Sequence, residues 1–99
     1  MDQLPDMKQF EACLNGQFDV TLADGSIYSL TLTEVKALAP TRAPGARPDP
    51  FELKFHGPGP GYLPQQIHQL SNDVLRPFPL FLVPIGQDAN GFVYQAIFN

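Results

Sequence analysis

The C-terminal stretch FPLFLVPIGQDANGFVYQAIFN, residues 78–99, restricts the fold more than any other part of this chain. Two apolar runs flank a turn with Asn90-Gly91 at its tip, which is the pattern of a β-hairpin. Both sets of alternating positions in the second run carry apolar side chains: Phe92, Tyr94, Ala96 and Phe98 in one set, Val93 and Ile97 in the other. A strand of this kind is covered on both faces, so we expect the hairpin to be internal or to lie in the seam of a closed sheet.

An earlier hairpin is predicted around Asp24-Gly25, because glycine accepts the positive φ that a primed turn needs. The strand before this turn alternates apolar and polar residues over FDVTL. The return strand opens at Ile27, out of phase with the apolar residues that follow it. Either its register shifts near Ser26 or both of its faces are covered. We expect the strand to continue through TEVKAL with a β-bulge, rather than to end in a helical turn.

Three more strands are predicted in the second half of the chain. FELKFHG alternates cleanly, with Phe51, Leu53 and Phe55 on one face and Glu52, Lys54 and His56 on the other. A short strand is expected around residues 66–70. Another is expected from Pro79 to Val83. Pro84 follows this apolar run, which favours a strand that is left sharply over a central strand with proline in its middle.

LPDMKQFEACLNG predicts one short N-terminal helix. Met7, Phe10 and Leu14 recur at helical spacing and give one apolar stripe. Gly16 is placed to act as the C-terminal cap. Cys13 is the only cysteine, which excludes an internal disulfide and a cysteine-based zinc site. We expect it to be a packed structural thiol.

These elements add up to a single domain, residues 1–99, that is mainly β. The predicted fold is a small antiparallel barrel or sandwich of five or six strands with one short N-terminal helix. The pattern contains no long crossover helix, which excludes a parallel βαβ architecture. APTRAPGARPDP, from Ala39 to Pro50, is a Pro-rich loop within the domain. It is either a flexible, partner-contacting segment or an extended polyproline-like connector.

The net charge of −4, with only 6 Lys and Arg together, argues against binding to nucleic acid or to an anionic membrane surface. No apolar run approaches the ~20 residues of a membrane span. Two acidic residues precede the first lysine, which is unlike a secretory signal. We therefore expect a cytoplasmic protein, or part of an assembly that is exported without a signal peptide. Charged residues make up 16%, below the roughly 25% of an average domain, which favours a covering partner. The alternative is that uncharged polar residues keep the surface soluble.

No catalytic, cofactor or metal site is predicted, and we expect a protein that is not an enzyme. His56 and His68 are the only histidines, and nothing around them has the spacing of a metal site. We expect each to lie on the polar face of a strand. HGPGPG is not a phosphate loop, because its prolines lack N–H donors and no basic residue follows. LPQQ is either a polar binding segment or a turn before a strand.

The runs PFELKFHGP, LPQQIHQLSND and FPLFLVPIGQDANGFVYQAIFN together resemble a family of short bacterial proteins known only as a domain of unknown function. The family pattern is F.L.F.GP…LPQ…LFLVP.G…G..Y.A.FN, and Phe10, Phe18 and the Asp24-Gly25 turn also fit it. This chain departs from the pattern at Gln66-Ile67-His68, where relatives more often carry Gly-Thr-Tyr, and at SNDVLRPFP. Genes of this family recur near proteins resembling phage tail-collar or tail-fibre proteins. The resemblance implies an accessory, chaperone or structural role beside a fibre.

Two functional hypotheses follow. The first is a non-enzymatic protein-interaction or structural accessory domain for another protein, such as a tail-fibre-like one. In it, FELKFHG is an edge strand that accepts a partner strand, and homo-oligomerisation is left open. The second is a small-ligand-binding β-barrel or minor enzyme with a pocket in the barrel mouth, although small barrels are usually filled by their own side chains. The second uses His56, His68 and Tyr62. The candidate partner-binding residues are Arg42, Arg47, Glu52, Lys54, His56, Tyr62, Gln65, Gln66 and His68.

Overall fold

A computed structural model describes residues 4–40, 43–45, 47, 49–59 and 61–99. These residues form one helix and six strands: α1 (Met7–Ala12), β1 (Gln17–Thr21), β2 (Ile27–Ala37), β3 (Phe51–Pro58), β4 (Gln66–Ser71), β5 (Phe78–Asp88) and β6 (Gly91–Phe98). Every paired strand is antiparallel, and the sheet closes into a barrel in the order β1-β2-β3-β6-β5-β4. The mainly β prediction with a short N-terminal helix is confirmed, and the architecture is a barrel.

The β1–β2 hairpin turns on Gly25, which has a φ of 87°. The Gly25 N–H donates to Leu22 O at 2.9 Å, and the Leu22 N–H donates to Ser26 O at 2.8 Å. Gly25 is the only residue of this turn with a positive φ, so the turn is not of the primed type with two such residues. Ile27 lies opposite Thr21 and is exposed on the outer face of the barrel. The phase of Ile27 therefore needs neither a register shift near Ser26 nor a covered outer face.

The bulge expected in β2 is present. Leu32 lies opposite Phe55 and Glu34 lies opposite Lys54, so Thr33 is the extra residue. The Thr33 hydroxyl donates to Lys54 O at 3.1 Å, which ties the bulge to β3. The strand continues through TEVKA, as the sequence predicted.

The prediction that FELKFHG is an edge strand is wrong. β3 pairs with β2 along one edge and with β6 along the other, from Phe51↔Phe98 to Pro58↔Gly91. Closure of the barrel gives β3 two neighbours, and this could not be read from the alternation within the strand. No partner strand can therefore add to β3 while the barrel is closed.

The prediction that β5 ends at Val83 is also wrong, because the strand continues through Pro84 to Asp88. The β4–β5 ladder stops at Gln66↔Leu82, so Pro84 has a strand neighbour on the β6 side only. The β5–β6 ladder starts at Val83↔Gln95, so Pro79 has a neighbour on the β4 side only. Each proline thus sits at a level where one edge of β5 is unpaired, and its missing N–H costs no ladder bond there.

One end of the barrel, called here the helix end, is filled by Phe10 of α1. The Phe10 ring is fully buried, with ring centroids 5.7–6.3 Å from those of Phe18, Phe51, Phe78 and Phe98. The opposite end, the hairpin end, holds the β1–β2 and β5–β6 turns. Residues 61–65, the crossing loop, lead into β4 there, and the buried Leu63 belongs to this loop. The barrel core is therefore packed with its own side chains.

Helix α1 starts at the N-cap Asp6, whose side chain accepts from the Gln9 N–H while the Gln9 side chain accepts from the Asp6 N–H. The prediction that Gly16 caps the helix is wrong. The helix stops at Ala12, and Asn15 is the residue in the left-handed region, with a φ of 67°. Cys13 is buried, as predicted for a packed thiol. No helix in the described part of the chain is long and apolar enough to cross a membrane.

Candidate functional site

Three of the residues predicted as sites share the outer face of β3, and each already contacts a neighbour in the chain. Gln95 Nε2 donates to Glu52 Oε2 at 2.7 Å. Lys54 Nζ lies 3.5 Å from Glu34 Oε1. His56 Nε2 lies 3.3 Å from Asp88 Oδ1. These cross-strand contacts join β3 to β2, β6 and the end of β5.

The Asp88 carboxylate stabilises the β5–β6 turn. The Asn90 N–H donates to Asp88 Oδ1 at 2.8 Å, and His56 approaches the same oxygen. The Asn90 backbone bond, followed by the His56 hydrogen bond, holds the pKa of Asp88 below its usual range. His56 therefore has a structural partner in this turn.

His68 does not lie on the polar face of β4, which corrects the sequence prediction. It is buried on the inner face together with Leu70, and its Nε2 lies 2.8 Å from Pro64 O. The strands β3 and β4 are three places apart in the ring whichever way it is followed. His56 faces outward and His68 inward on these two strands, so the two imidazoles do not converge on one pocket.

The remaining predicted residues are spread over the two ends of the barrel. Tyr62 is exposed, with its ring centroid 5.4 Å from that of Phe92, and Gln65 and Gln66, three and four residues further along the chain, are also exposed. Arg47 lies at the helix end, where its guanidinium carbon is 5.1 Å from the Phe51 ring centroid and 5.6 Å from that of Phe98. The same side chain pairs with Asp49 at 3.3 Å. Arg42 lies outside the described residues.

The hairpin end of the barrel is closed by the crossing loop. The Leu63 N–H donates to Tyr94 Oη at 2.8 Å, Tyr94 Oη lies 3.1 Å from Tyr28 Oη, and Tyr28 Oη donates to Pro58 O at 2.8 Å. Burial, with a further contribution from Tyr94, raises the pKa of Tyr28. Gly57 makes room for this arrangement, since a Cβ there would lie 2.6 Å from the Tyr28 ring. These contacts fill the place where the small-ligand hypothesis put its pocket.

No metal site is apparent in the described residues, where no group of three or more His, Cys, Asp and Glu side chains is placed to hold an ion. A polar cleft of about 360 Å³ lies at the join between β1 and β4. Its lining residues are Gln17, Asp19, Ser71, Asn72 and Asp73. Asp19 Oδ1 accepts hydrogen bonds within the cleft from Gln17 Nε2 at 2.8 Å and from Ser29 Oγ at 2.9 Å.

The most unusual surface is apolar, and the sequence prediction missed it. Ile67, Phe81 and Ile97 lie on the outer faces of the adjoining strands β4, β5 and β6, and are 66%, 48% and 51% exposed. Ile67 and Phe81 are a cross-strand pair. The β5–β6 ladder begins at Val83↔Gln95, so Ile97 and Phe81 lie on neighbouring strands just beyond its end and are not a ladder pair. We call these three residues the apolar face.

The apolar face corrects the prediction that β6 is covered on both sides. β6 is internal because β3 and β5 flank it, but its outer face is open at Ile97. The signal was present in the sequence: each of the three strands carries an apolar residue in the phase opposite to its core residues. The three residues form one surface because their strands are neighbours in the barrel, and the sequence does not show that strand order.

Comparison with known proteins identifies the family of this chain. Residues 5–98 match the family described as Domain of unknown function (DUF6916). The chain belongs to this family. No curated protein and no solved structure matches it. The match spans α1 and all six described strands, so the barrel and its apolar face together are the DUF6916 domain.

Proposed function

We propose that this DUF6916 domain is a non-enzymatic protein-interaction domain that binds its partner through the apolar face. The observation that carries the proposal is the exposure of Ile67, Phe81 and Ile97 on three adjoining strands. Isolated exposed apolar residues are ordinary, whereas several on neighbouring strands of a small domain favour an interaction surface. Phe81 stands on the middle strand, and an aromatic side chain at the centre of a patch is a common anchor in protein interfaces.

The surroundings of the apolar face have the character of an interface rim. Ile97 lies opposite Glu52, which in turn lies opposite Lys36, so charges begin two strands away from Phe81. Gln69 is exposed on β4 in the same outward phase as Ile67. A polar rim around an apolar centre is the usual arrangement in protein interfaces.

The partner that the family resemblance favours is a component of a tail-fibre-like assembly, with this domain as its accessory. Support comes from the neighbouring tail-collar and tail-fibre-like genes that the family resemblance implies, and from the low charge of the chain. A structural accessory that is covered in its assembled state can expose apolar residues while it is free. This role needs no catalytic group.

The test is affinity capture from a lysate of the native host with three tagged forms of the chain: wild type, Phe81→Ser and Val74→Ser. Val74 is the matched control because it is 78% exposed and lies between β4 and β5, outside the apolar face. We expect one protein in stoichiometric amount with wild type and Val74→Ser, and its loss with Phe81→Ser. Equal recovery by all three forms, or no recovered protein, would contradict the proposal. Circular dichroism checks that each variant is folded.

A further inference from the structure

The charged side chains of the barrel are divided unevenly between its strands. β4 and β6 carry no Asp, Glu, Lys or Arg, and β5 carries only Asp88, its final residue at the hairpin end. Because β4, β5 and β6 adjoin, they form one uncharged half of the described strand wall. The charges lie on β1, β2 and β3, which carry Asp19, Glu34, Lys36, Glu52 and Lys54.

The uncharged half of the barrel extends the apolar face beyond its three defining residues. On β5, Val83 shares the outward phase of Phe81, and on β6, Val93 shares that of Ile97. Both valines are half-buried. The polar side chains in the outward phases of these strands are uncharged. The apolar face is therefore the centre of a larger surface that contains no charge.

This distribution of charge favours a second copy of the chain as the cover for the apolar face. The net charge is −4, so two copies repel each other where their charged surfaces meet. Contact through β4, β5 and β6 keeps the charged strands of both copies on the far side of each barrel. A partner selected by charge would need charges in the face to pair with, and the face has none. Interfaces between identical chains are also more apolar than other protein interfaces.

The apolar face is self-complementary under two-fold symmetry, which is the symmetry of most homodimers. Phe81 stands on the middle strand, with Ile67 on one neighbouring strand and Ile97 on the other. A two-fold axis that runs along β5 at Phe81 lays β4 over the second copy's β6, and so Ile67 near Ile97. An axis across the strands at Phe81 lays each strand over its own counterpart. Either arrangement places apolar side chains against apolar side chains and buries no charge.

We propose that two copies of the free chain pair through their apolar faces as a two-fold dimer. This goes beyond the proposed function, because the second copy covers the face only while the partner is absent. The size of the face sets the strength of the dimer. Three strands about 4.8 Å apart and about five residues long present roughly 14 × 17 Å, which is less than the roughly 800 Å² per partner of a standard interface. We therefore expect a Kd in the micromolar range, weak enough for the partner to displace the second copy.

The test is sedimentation velocity of the purified chain from about 1 to 500 µM, a range that brackets a micromolar Kd. It compares wild type with Phe81→Ser and with Val74→Ser, whose site is exposed but lies outside the apolar face. We expect wild type and Val74→Ser to approach twice the mass of one chain with the same Kd. Phe81→Ser should raise the Kd about tenfold or more, because a central aromatic side chain dominates many interfaces. A wild-type chain that remains monomeric at the highest concentration would overturn the proposal.

A second pair of variants locates the interface independently of Phe81→Ser. Ile97→Lys adds a charge within the apolar face, and Thr31→Lys adds the same charge at an exposed position of β2, on the charged half. We expect Ile97→Lys to be monomeric and Thr31→Lys to dimerise like wild type, with circular dichroism to check that both are folded. A dimer that survives Ile97→Lys, or that both variants dissociate equally, would refute pairing through this face.

The dimer and the proposed function can fail separately. A monomeric wild type, together with native capture that Phe81→Ser abolishes, would leave the interaction function standing and refute the dimer. A dimer that Phe81→Ser dissociates, together with native capture that Phe81→Ser leaves unchanged, would support the dimer and contradict the proposed function.

Discussion

At the scale of single residues, the hairpin end depends on a relay of three hydrogen bonds whose direction can be assigned. Each tyrosine hydroxyl has one hydrogen. The Tyr28 hydroxyl donates to Pro58 O and Tyr94 Oη accepts from the Leu63 N–H, so the Tyr94 hydrogen is left for Tyr28 Oη. The relay attaches the crossing loop to β2 and β6. Sequence alone could not predict it, because the alternation shows that Tyr28 and Tyr94 face inward but not that they meet.

The relay predicts that Tyr94 and Tyr28 contribute unequally to the stability of the fold. Tyr94→Phe leaves the N–H of the buried Leu63 without its acceptor, and we expect the free energy of unfolding to fall by about 1–3 kcal/mol. Tyr28→Phe frees Pro58 O and Gly61 O at the exposed end of the barrel and takes the acceptor from the Tyr94 hydroxyl. We expect a smaller loss, because a hydroxyl hydrogen can rotate to another partner whereas the Leu63 N–H cannot. Urea denaturation of the two variants beside wild type measures the difference. Equal losses would show that the Leu63 bond is not the important one.

At the scale of elements, sequence alternation predicted which face of each strand points to the core. It failed to predict which strands are neighbours and where their ladders begin and end. The inner face of β3, the bulge in β2 and the inward set of β6 were all predicted correctly. The extension of β5 through Pro84 was not, because it depends on which neighbour is absent at that level. The apolar face was missed for the same reason: Ile67, Phe81 and Ile97 are far apart in sequence and become one surface only through strand order.

Helix α1 shows the same division between local and tertiary effects. The apolar stripe predicted from Met7, Phe10 and Leu14 is shortened, because the helix ends at Ala12 and Leu14 is exposed beyond it. A helix of six residues is not stable by itself in water, so α1 is held by Phe10 among the four Phe rings of the helix end.

Removal of the Phe10 ring should therefore release helix α1 from the end of the barrel. We expect Phe10→Ala to lower the free energy of unfolding by about 3–5 kcal/mol, because Phe10 is fully buried. Leu14→Ala is the control, because Leu14 lies beyond the end of α1 and is exposed, and this substitution should cost less than about 1 kcal/mol. Chemical denaturation gives both values. A loss for Phe10→Ala no larger than that for Leu14→Ala would mean that α1 does not fill the barrel end.

At the scale of the whole molecule, the last strand completes the closure. β6 stands between β3 and β5, so the ring of six described strands is open without it. Its final residues are also part of the core. Ala96 lies opposite Leu53 and Phe98 opposite Phe51, with the Phe51 and Phe98 rings stacked at 4.4 Å. The same Phe98 ring contacts Phe10 at 5.7 Å, so the C-terminal strand and the N-terminal helix stabilise each other.

We accordingly expect deletion of residues 96–99 to unfold the protein. The deletion removes two buried side chains and the ladder bonds of β3 beside them, and it exposes Phe10 and Phe51 at the helix end. These losses together exceed the roughly 5–15 kcal/mol that stabilises a typical domain once the barrel is open and its cooperativity is gone. Deletion of Asn99 alone is the control, since this exposed residue follows the end of β6 and should leave the melting temperature nearly unchanged. Thermal melts followed by circular dichroism compare the two forms. A chain lacking residues 96–99 that melts cooperatively near the full-length temperature would show that the barrel closes without the end of β6, and that the aromatic cluster at the helix end stabilises the fold less than its burial indicates.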